Sequence, residues 1–599
     1  MITERDKQMQ RWSEYYLELY ATQNVVSDYA LERFPDLPVL DQLDAPPSIE
    51  ELSKAIDHLS NGKAPGSDGI PAEVLKYGKP ALLKPLHELI CDCWEHGHIP
   101  QDMRDAKIVT LYKNKGDRSD CNNYRGISLL GIVGKAFARV ILARLQILAQ
   151  NVYPESQCGF RAGRSTVDMI FSLRQLQEKC REQQKALFIA FIDLTKAFDL
   201  VSRKGLFQIL AKIGCPPRLL SIIESFHTGM HSTVLFDGAS SEPFPICSGV
   251  KQGCVLAPTL FGIFFSVLLR HAFEDCSEGV NIHTGADGRL YNINRLRAKS
   301  KVETVLIREL LFADDAALTS HTEIGLQLLV NKFSEACKEF GLTISLKKTN
   351  IMRQGTDCLP AISIEGNTLD VVEDFTYLGS SITSTLSMEK EIATRIGKAA
   401  SLMAKLNQRV WNNSQITDRT KITVYQACVL STLLYGSECW TTYAKQIKQL
   451  NSFHLRCLRR ILHIKWQDRI TNVEVLRRSH MLSMHSILSE RRLRWLGHVH
   501  RMSSERIPRA LLYGELATGV RKRGRPCLRY KDVCKKDMSL ALINHKTWES
   551  IAEERTLWRS KVREGVLIAE ATLNARSEER RARRKGIGGR GAGVNAIVP

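Results

Sequence analysis

Apolar positions change period several times along the chain, and those changes predict its elements. In PSIEELSKAIDHLS, Ser48 and Glu51 form a capping box ahead of apolar residues at helical spacing, and Asn61-Gly62 marks the end of that helix. A helix is expected near Ala81 to His96, then a short strand in AKIVTLYKN, a polar loop, and a helix from about Gly131. From Lys185 the pattern turns β-like. ALFIAFID is an apolar run ending at Asp193, and AFDLVSRKGLFQILAKIG after it reads as a helix. A hairpin, a Gly-rich turn and a long buried helix follow between Ser232 and Glu274. LIRELLFADDAALTSH reads as strand, turn, strand, with Asp314 and Asp315 in the turn. Next come a helix from Glu323 to Phe340, the strand GLTISLKKTNIMR and a hairpin around FTYLGSSIT. Beyond Ser387 the chain is largely helical and more basic, and no internal repeat interrupts it.

These changes divide the chain into an N-terminal extension and linker (1–47), a mixed α/β region (48–386), a helical region (387–500) and a basic C-terminal region (501–599). The stretch SEERRARRKGIGGRGAGVNAIVP lacks an apolar period and is expected to be a disordered tail. With 44% hydrophobic and 25% charged residues, the composition is that of a globular protein. The net charge of +20 points to a polyanionic partner, nucleic acid first and an anionic membrane surface second. The chain contains no apolar run of membrane-spanning length and no signal pattern at MITERDKQMQRW, so an intracellular protein is expected. The 16 cysteines are scattered through apolar stretches, which suits reduced thiols. Cys91, Cys93, His96 and His98 are too tightly spaced for a structural zinc site.

Adjacent carboxylates in an apolar run are costly unless something compensates them. An ordinary turn is one reading of Asp314-Asp315, and a cation site is the other. Asp193 ends a strand about 120 residues earlier, and strands of one sheet can bring all three carboxylates together. Three converging carboxylates suit two hard cations about 3.5–4 Å apart, the arrangement used for phosphoryl transfer.

The blocks NGKAPGSDGIPAEVLK, NNYRGISLL, FIDLTKAFDLV, SGVKQGCVLAPTLF, LLFADDAAL, GLTISLKKT and FTYLGSSI, in this order, resemble the reverse transcriptases of non-LTR (LINE-type) retrotransposons. The likeness runs from about Ser48 to beyond Asp537. It implies a right-hand polymerase: an α/β (α+β) palm of mainly antiparallel sheet, fingers before it, and a helical thumb and basic region after it. It further implies RNA-directed DNA polymerase activity, a nucleotidyl transfer with two Mg²⁺ ions, with Mn²⁺ as the substitute metal. An RNA template, a DNA primer or target and dNTPs are the implied partners, with no membrane and an unassigned oligomeric state. A nuclear and cytoplasmic ribonucleoprotein is the implied location.

The resemblance makes Asp193, Asp314 and Asp315 the metal-binding and catalytic triad, with the Ile192 or Leu194 carbonyl as an extra ligand. Phe198 matches the aromatic that closes the sugar pocket, with a core aromatic as the alternative. Gln252 and Gly253 match a turn lying against template and incoming base. Arg125 and Lys113 match basic residues over the triphosphate, and Lys348 matches the lysine near the leaving pyrophosphate; ordinary solvated charges are the alternative for all three. Two positions depart from the family pattern. Gly126 stands where Pro is usual, which would loosen its loop, and Ser345 replaces a common Asn. Family members also carry an upstream endonuclease domain, so a truncated copy is expected. In the C-terminal third LLYGSECW, RRLRWLGHVHRM and RGRPCLRYKDVCKKD resemble the same family's tail. RKRGRP matches an AT-hook core, in which Arg521, Arg523 and Arg525 would enter a minor groove; a basic surface loop is the alternative. Two other functions remain open: an RNA-templated RNA polymerase, which a bulky Phe198 disfavours, and a non-catalytic RNA-binding remnant of a polymerase fold.

Overall fold

The run LFIAFI forms a strand buried at every position, which requires cover on both faces of its sheet. A computed structural model describes residues 4–285, 289–291, 302–519 and 527–589, with side chains as far as 584. The fold is mixed α/β, and helices hold 53% of it, so the sheets are small. We label the strands β1 (Ala106–Tyr112), β2 (Tyr124–Leu130), β3 (Leu187–Ile192), β4 (His231–Phe236), β5 (Glu309–Phe312), β6 (Asp315–Ser320) and β7 (Asn350–Gln354). The helices used below are α1 (Arg5–Ala21), α2 (Thr166–Glu182), α3 (Ala257–Phe273), α4 (Glu323–Glu339), α5 (Met484–His500) and α6 (Arg555–Gly589).

The central sheet runs Asp370–Val371, β7, β3, β6, β5, and β3 is antiparallel to both β6 and β7. Successive side chains of a strand point to opposite faces, and β3 uses both. Phe188, Ala190 and Ile192 join α3 and α4 in one core, while Leu187, Ile189 and Phe191 pack with Met169, Leu173 and Leu176 of α2 in another. On that second face the Phe191 ring stacks on Phe375 at 4.3 Å. A second sheet pairs β1 with β2 antiparallel and with β4 parallel. Trp12, Tyr16 and Tyr20 of α1 close this sheet, together with Ile108, Met230, Val234 and Phe244.

Residues from Met388 to Leu488 share a core of their own. Beyond it α5, the helix Tyr530–Leu540 and α6 pack on Ile170 and Phe171 of α2. Ion pairs fasten this junction: Arg506 bridges Glu155 and Asp168, and Lys179 and Lys531 both reach Glu515. All sixteen cysteines are free thiols.

Several elements differ from the sequence reading. The stretch SEERRARRKGIGG is helical, because α6 continues to Gly589 on Arg, Glu and Ala, which favour helix even without an apolar face. The helix expected from Ala197 begins only at Arg203, capped by Ser202, since Lys196 at φ 48° and the turns after it break the segment. GLTISLKKTNIMR is not one strand: Ile344 makes a single bridge to Leu194, a turn carries Lys348, and β7 starts at Asn350. Gly126 lies in β2 opposite Thr110 and does not loosen a loop. A Cβ there would stand 2.7 Å from the Tyr16 hydroxyl, so the missing side chain makes room for α1.

Candidate active site

The β3–β6 register pairs Ile192 with Ala316, and one step further it sets Asp193 across from Asp315. Asp314 is the second residue of the two-residue β5–β6 turn, in which Phe312 pairs with Asp315. Sheet pairing therefore brings the three carboxylates to one end of adjacent strands, although they are distant in sequence. Ala313, the first turn residue, is held at φ 57°, a left-handed conformation that costs a residue with a Cβ ~1–2 kcal/mol.

A residue that the sequence reading passed over holds this turn. The Gln157 side chain is fully buried; its Nε2 donates to the Ala313 carbonyl (3.1 Å), and its Oε1 accepts from the Ala313 N–H (2.9 Å) and the Gly159 N–H (2.8 Å). A Cβ on Gly159 would lie 2.2 Å from the Ala313 nitrogen, so only glycine lets the two backbones meet. The signal was present as two polar residues in SQCGF, but nothing local links that loop to a turn so distant in sequence. The adjacent Phe160, also at positive φ, sets its ring 6.2 Å from both Phe198 and Phe312.

Burial and mutual repulsion raise the proton affinity of the paired carboxyls. Burial pushes the Asp314 carboxyl up and Asp193 adds to it, while Arg125 and Lys348 pull it down. The Asp315 carboxyl reaches solvent, yet burial around the turn and then the charges of Asp314 and Asp193 push it up to about 6. The Lys348 ammonium sits 2.9 Å from Asp193 Oδ1, a stand-in cation at the carboxylates. Among the described residues no three His, Cys, Asp or Glu side chains are gathered tightly enough to enclose an ion. The donor set nonetheless fits a hard divalent cation, being all oxygen and carboxylate-rich.

The other expected residues surround this point. Lys113 is pushed down by burial and then by the charges of Arg125, Lys348 and Lys196, so four cations share one wall. Lys196 was missed by the sequence reading; its ammonium lies over the Tyr15 ring of α1 at 4.9 Å. Phe198 is half-buried and stacks on Phe261 at 4.2 Å, so one edge belongs to the core. Gln252 donates through Nε2 to Asp199 Oδ2 at 3.3 Å, and its carbonyl accepts from the Ser128 N–H of β2. Gly253 (φ 110°) is required by β2, because a Cβ would stand 2.6 Å from the Ser128 carbonyl oxygen. Asp199, unnoticed in the sequence, is pushed up to about 6 by burial, against the pull of Lys196 and the Tyr20 hydroxyl. Arg521, Arg523 and Arg525 lie outside the described residues.

Residues 112–382 match the family model described as reverse transcriptase (RNA-dependent DNA polymerase), a span that contains β2 through β7 and the whole carboxylate site. In Drosophila melanogaster the RNA-directed DNA polymerase from mobile element jockey is 26% identical over 71% of this chain. The probable RNA-directed DNA polymerase from transposon X-element is also 26% identical over 71%, and that from transposon BS is 26% identical over 67%. The chain spans less than half the length of these relatives: 45%, 45% and 43%. A solved apo telomerase from Candida tropicalis is 13% identical, covering 48% of this chain and 54% of that one at a TM-score of 0.33, too loose a likeness to argue from. Residues 112–382 thus match the reverse transcriptase family, and the chain is similar to the RNA-directed DNA polymerases of the mobile elements jockey, X-element and BS.

Proposed function

We propose that this chain is an RNA-directed DNA polymerase that extends a DNA 3′-hydroxyl on an RNA template with dNTPs. The observation that carries the reading is the placement of Asp193, Asp314 and Asp315 at one end of paired strands, facing a wall of Lys113, Arg125, Lys196 and Lys348. In this reading the central sheet and its helices are the palm, the β1–β2–β4 sheet with α1 belongs to the fingers, and the segment from Met388 to about His480 forms a thumb that grips duplex phosphates.

Asp193, Asp314 and Asp315 would hold two Mg²⁺ ions, which when bound supply charge neutralisation at the transferring phosphoryl group. The chain's own groups then have distinct tasks. Lys113 binds the triphosphate as a point charge and Arg125 through its guanidinium fork, and Lys348 leaves Asp193 to meet the departing pyrophosphate. Phe198, stacked on Phe261, presents the free edge of its ring to the sugar and excludes a 2′-hydroxyl. The Gln252 side chain is oriented by Asp199, so that the turn offers its backbone to the incoming base pair. Gln157 holds the turn that carries two of the three carboxylates.

Among the described residues no helix is long and apolar enough to cross a membrane. The +20 charge supports binding to nucleic acid phosphates, and the reading implies a ribonucleoprotein in nucleus and cytoplasm. The test is primer extension by the purified chain on an RNA template with dNTPs and Mg²⁺. Extension that requires both the metal and the template supports the reading. Binding without extension would favour the RNA-binding remnant, and preferential use of rNTPs would favour an RNA polymerase.

A further inference from the structure

RRLRWLGHVHRM has no part in the polymerase site, and the structure gives it a surface of its own. It forms most of α5, and α6 crosses it closely enough that a Cβ on Gly497 would stand 2.2 Å from Trp558 Nε1. Between the two helices opens a cleft of about 590 Å³ lined by Arg491, Arg494, Arg501, Arg555 and Arg559. Trp495 and Trp558 make its floor and are 8% and 0% exposed. His498, also on the cleft, is exposed and lies 5.3 Å from the Trp495 ring.

Five guanidiniums around one cleft repel one another, and the neighbouring carboxylates offset only part of that charge. Arg491 is paired with Glu438 at 2.9 Å, and Arg494 reaches Glu490 at 3.8 Å. Arg501 donates to the Ala552 carbonyl, and burial, then the charge of Arg555, lowers its proton affinity. Arg555 and Arg559 are exposed and make no ion pair among the described residues. His498 is pushed down first by burial, with Asp168 opposing and Arg501, Arg506 and Arg555 adding to the fall. A ring of guanidiniums with two exposed, unpaired members calls for an anion rich in acceptor oxygens.

The geometry points to a second nucleic-acid site, in which the α5–α6 cleft takes the phosphodiester backbone of a single strand. Arginine forks match phosphate oxygens bidentately. A concave basic groove that follows a backbone, with little base readout, is how single strands are held without sequence preference. The Trp rings are too buried to stack on bases, so recognition here runs through phosphate and not sequence. This site stands apart from the carboxylate site and does not depend on polymerase activity.

The experiment uses the full chain with a short fluorescein-labelled oligoribonucleotide, read by anisotropy while unlabelled primer–template duplex saturates the polymerase cleft. The wild type should still bind the strand. Arg555→Ala with Arg559→Ala should bind it about tenfold or more weakly, and the slope of log affinity against log salt should flatten by ~1.4, or ~0.7 for each lost phosphate contact. Arg555→Lys with Arg559→Lys should recover part of the affinity, because a point charge still meets phosphate. Ultraviolet cross-linking of the wild type should map to peptides from α5 or the first turns of α6. An oligodeoxyribonucleotide of the same length shows whether the sugar matters. Unchanged affinity and slope in the Ala variant, or cross-links confined to the region of the central sheet, would overturn the proposal. Displacement of the labelled strand by the duplex at equal concentration would also overturn it, since the cleft would then take duplex.

Discussion

Gln157→Met keeps side-chain volume while removing the three hydrogen bonds that hold the carboxylate turn, so it separates positioning from packing. In the wild type the amide satisfies both backbone groups of Ala313 and the N–H of Gly159, all in a site with no exposure of Gln157. Leaving a buried backbone group unsatisfied costs about 1–3 kcal/mol, so three groups would cost at least ~3 kcal/mol if the turn kept its shape. Letting Ala313 leave its left-handed conformation recovers ~1–2 kcal/mol and frees its N–H and C=O to find water. The turn therefore relaxes before the fold does, and Asp314 and Asp315 move with it. Misplacing groups at a reacting centre by about 1 Å costs on the order of 100-fold in rate. The assay is steady-state primer extension with the dNTP concentration varied, alongside thermal melting. We expect kcat to fall by about 100-fold and the Mg²⁺ requirement to rise. KM for dNTP should hold near wild type, because Lys113 and Arg125 are untouched. A variant that melts like the wild type and keeps its kcat would refute the claim that Gln157 positions the turn.

Three further predictions follow from other parts of the structure. Phe198→Val should raise the ratio of rNTP to dNTP incorporation on one primer–template, at a stability cost of about 2 kcal/mol from the lost Phe261 contact; an unchanged ratio with dNTP use retained would make Phe198 a core residue only. Gly126→Ala should lower the melting temperature through a clash with the Tyr16 ring, typically ~1–3 kcal/mol for overpacking, and should not do so in a Tyr16→Ala background. Burial pushes the Glu178 carboxyl up to about 7, with Glu182 adding and the Tyr530 N–H bond, Lys179 and Arg181 opposing. Its folded proton affinity thus exceeds that of the unfolded chain, so its contribution is full below about pH 4.5 and lost as pH rises through 7, by up to ~3 kcal/mol. Glu178→Gln should melt higher than the wild type at pH 8 and flatten the pH dependence between 5 and 8; a parallel pH profile would contradict the assignment.

The sequence showed the elements whose periodicity is local. The helix at Glu323 and the hairpins at FADD and YLGS begin and end where capping and turn residues put them, and the helix capped by Ser48 begins as expected but stops at Asp57, short of Asn61-Gly62. It also grouped Asp193 with Asp314 and Asp315, because a strand ending in a carboxylate and a hairpin bearing two can share a sheet. What it could not show was set by contacts distant in the chain. β2 went unassigned, because its exposed Arg125 and its glycine mask a strand that exists by pairing with β1. Gln157 and Asp199 looked like ordinary polar residues; burial and partners far away in sequence give them their roles. Gly126 and Gly253 carried meaning only once Tyr16 and Ser128 were seen against them. Nothing local in the basic C-terminal region shows its packing on α2, which depends on Arg506, Lys179 and Lys531 finding distant acids.

The claim on which the rest depends is that Asp193, Asp314 and Asp315 act together as one oxygen site for divalent cations. The most direct measurement is single-turnover extension of a DNA primer on an RNA template, comparing the wild type with Asp193→Asn, Asp314→Asn and Asp315→Asn across a Mg²⁺ titration. Each variant should melt within a few degrees of the wild type, bind primer–template normally and lose most of its extension rate, because removing one carboxylate charge weakens the shared site. Equal extension by the wild type and any one of the three folded variants would take that aspartate out of the site and contradict the account.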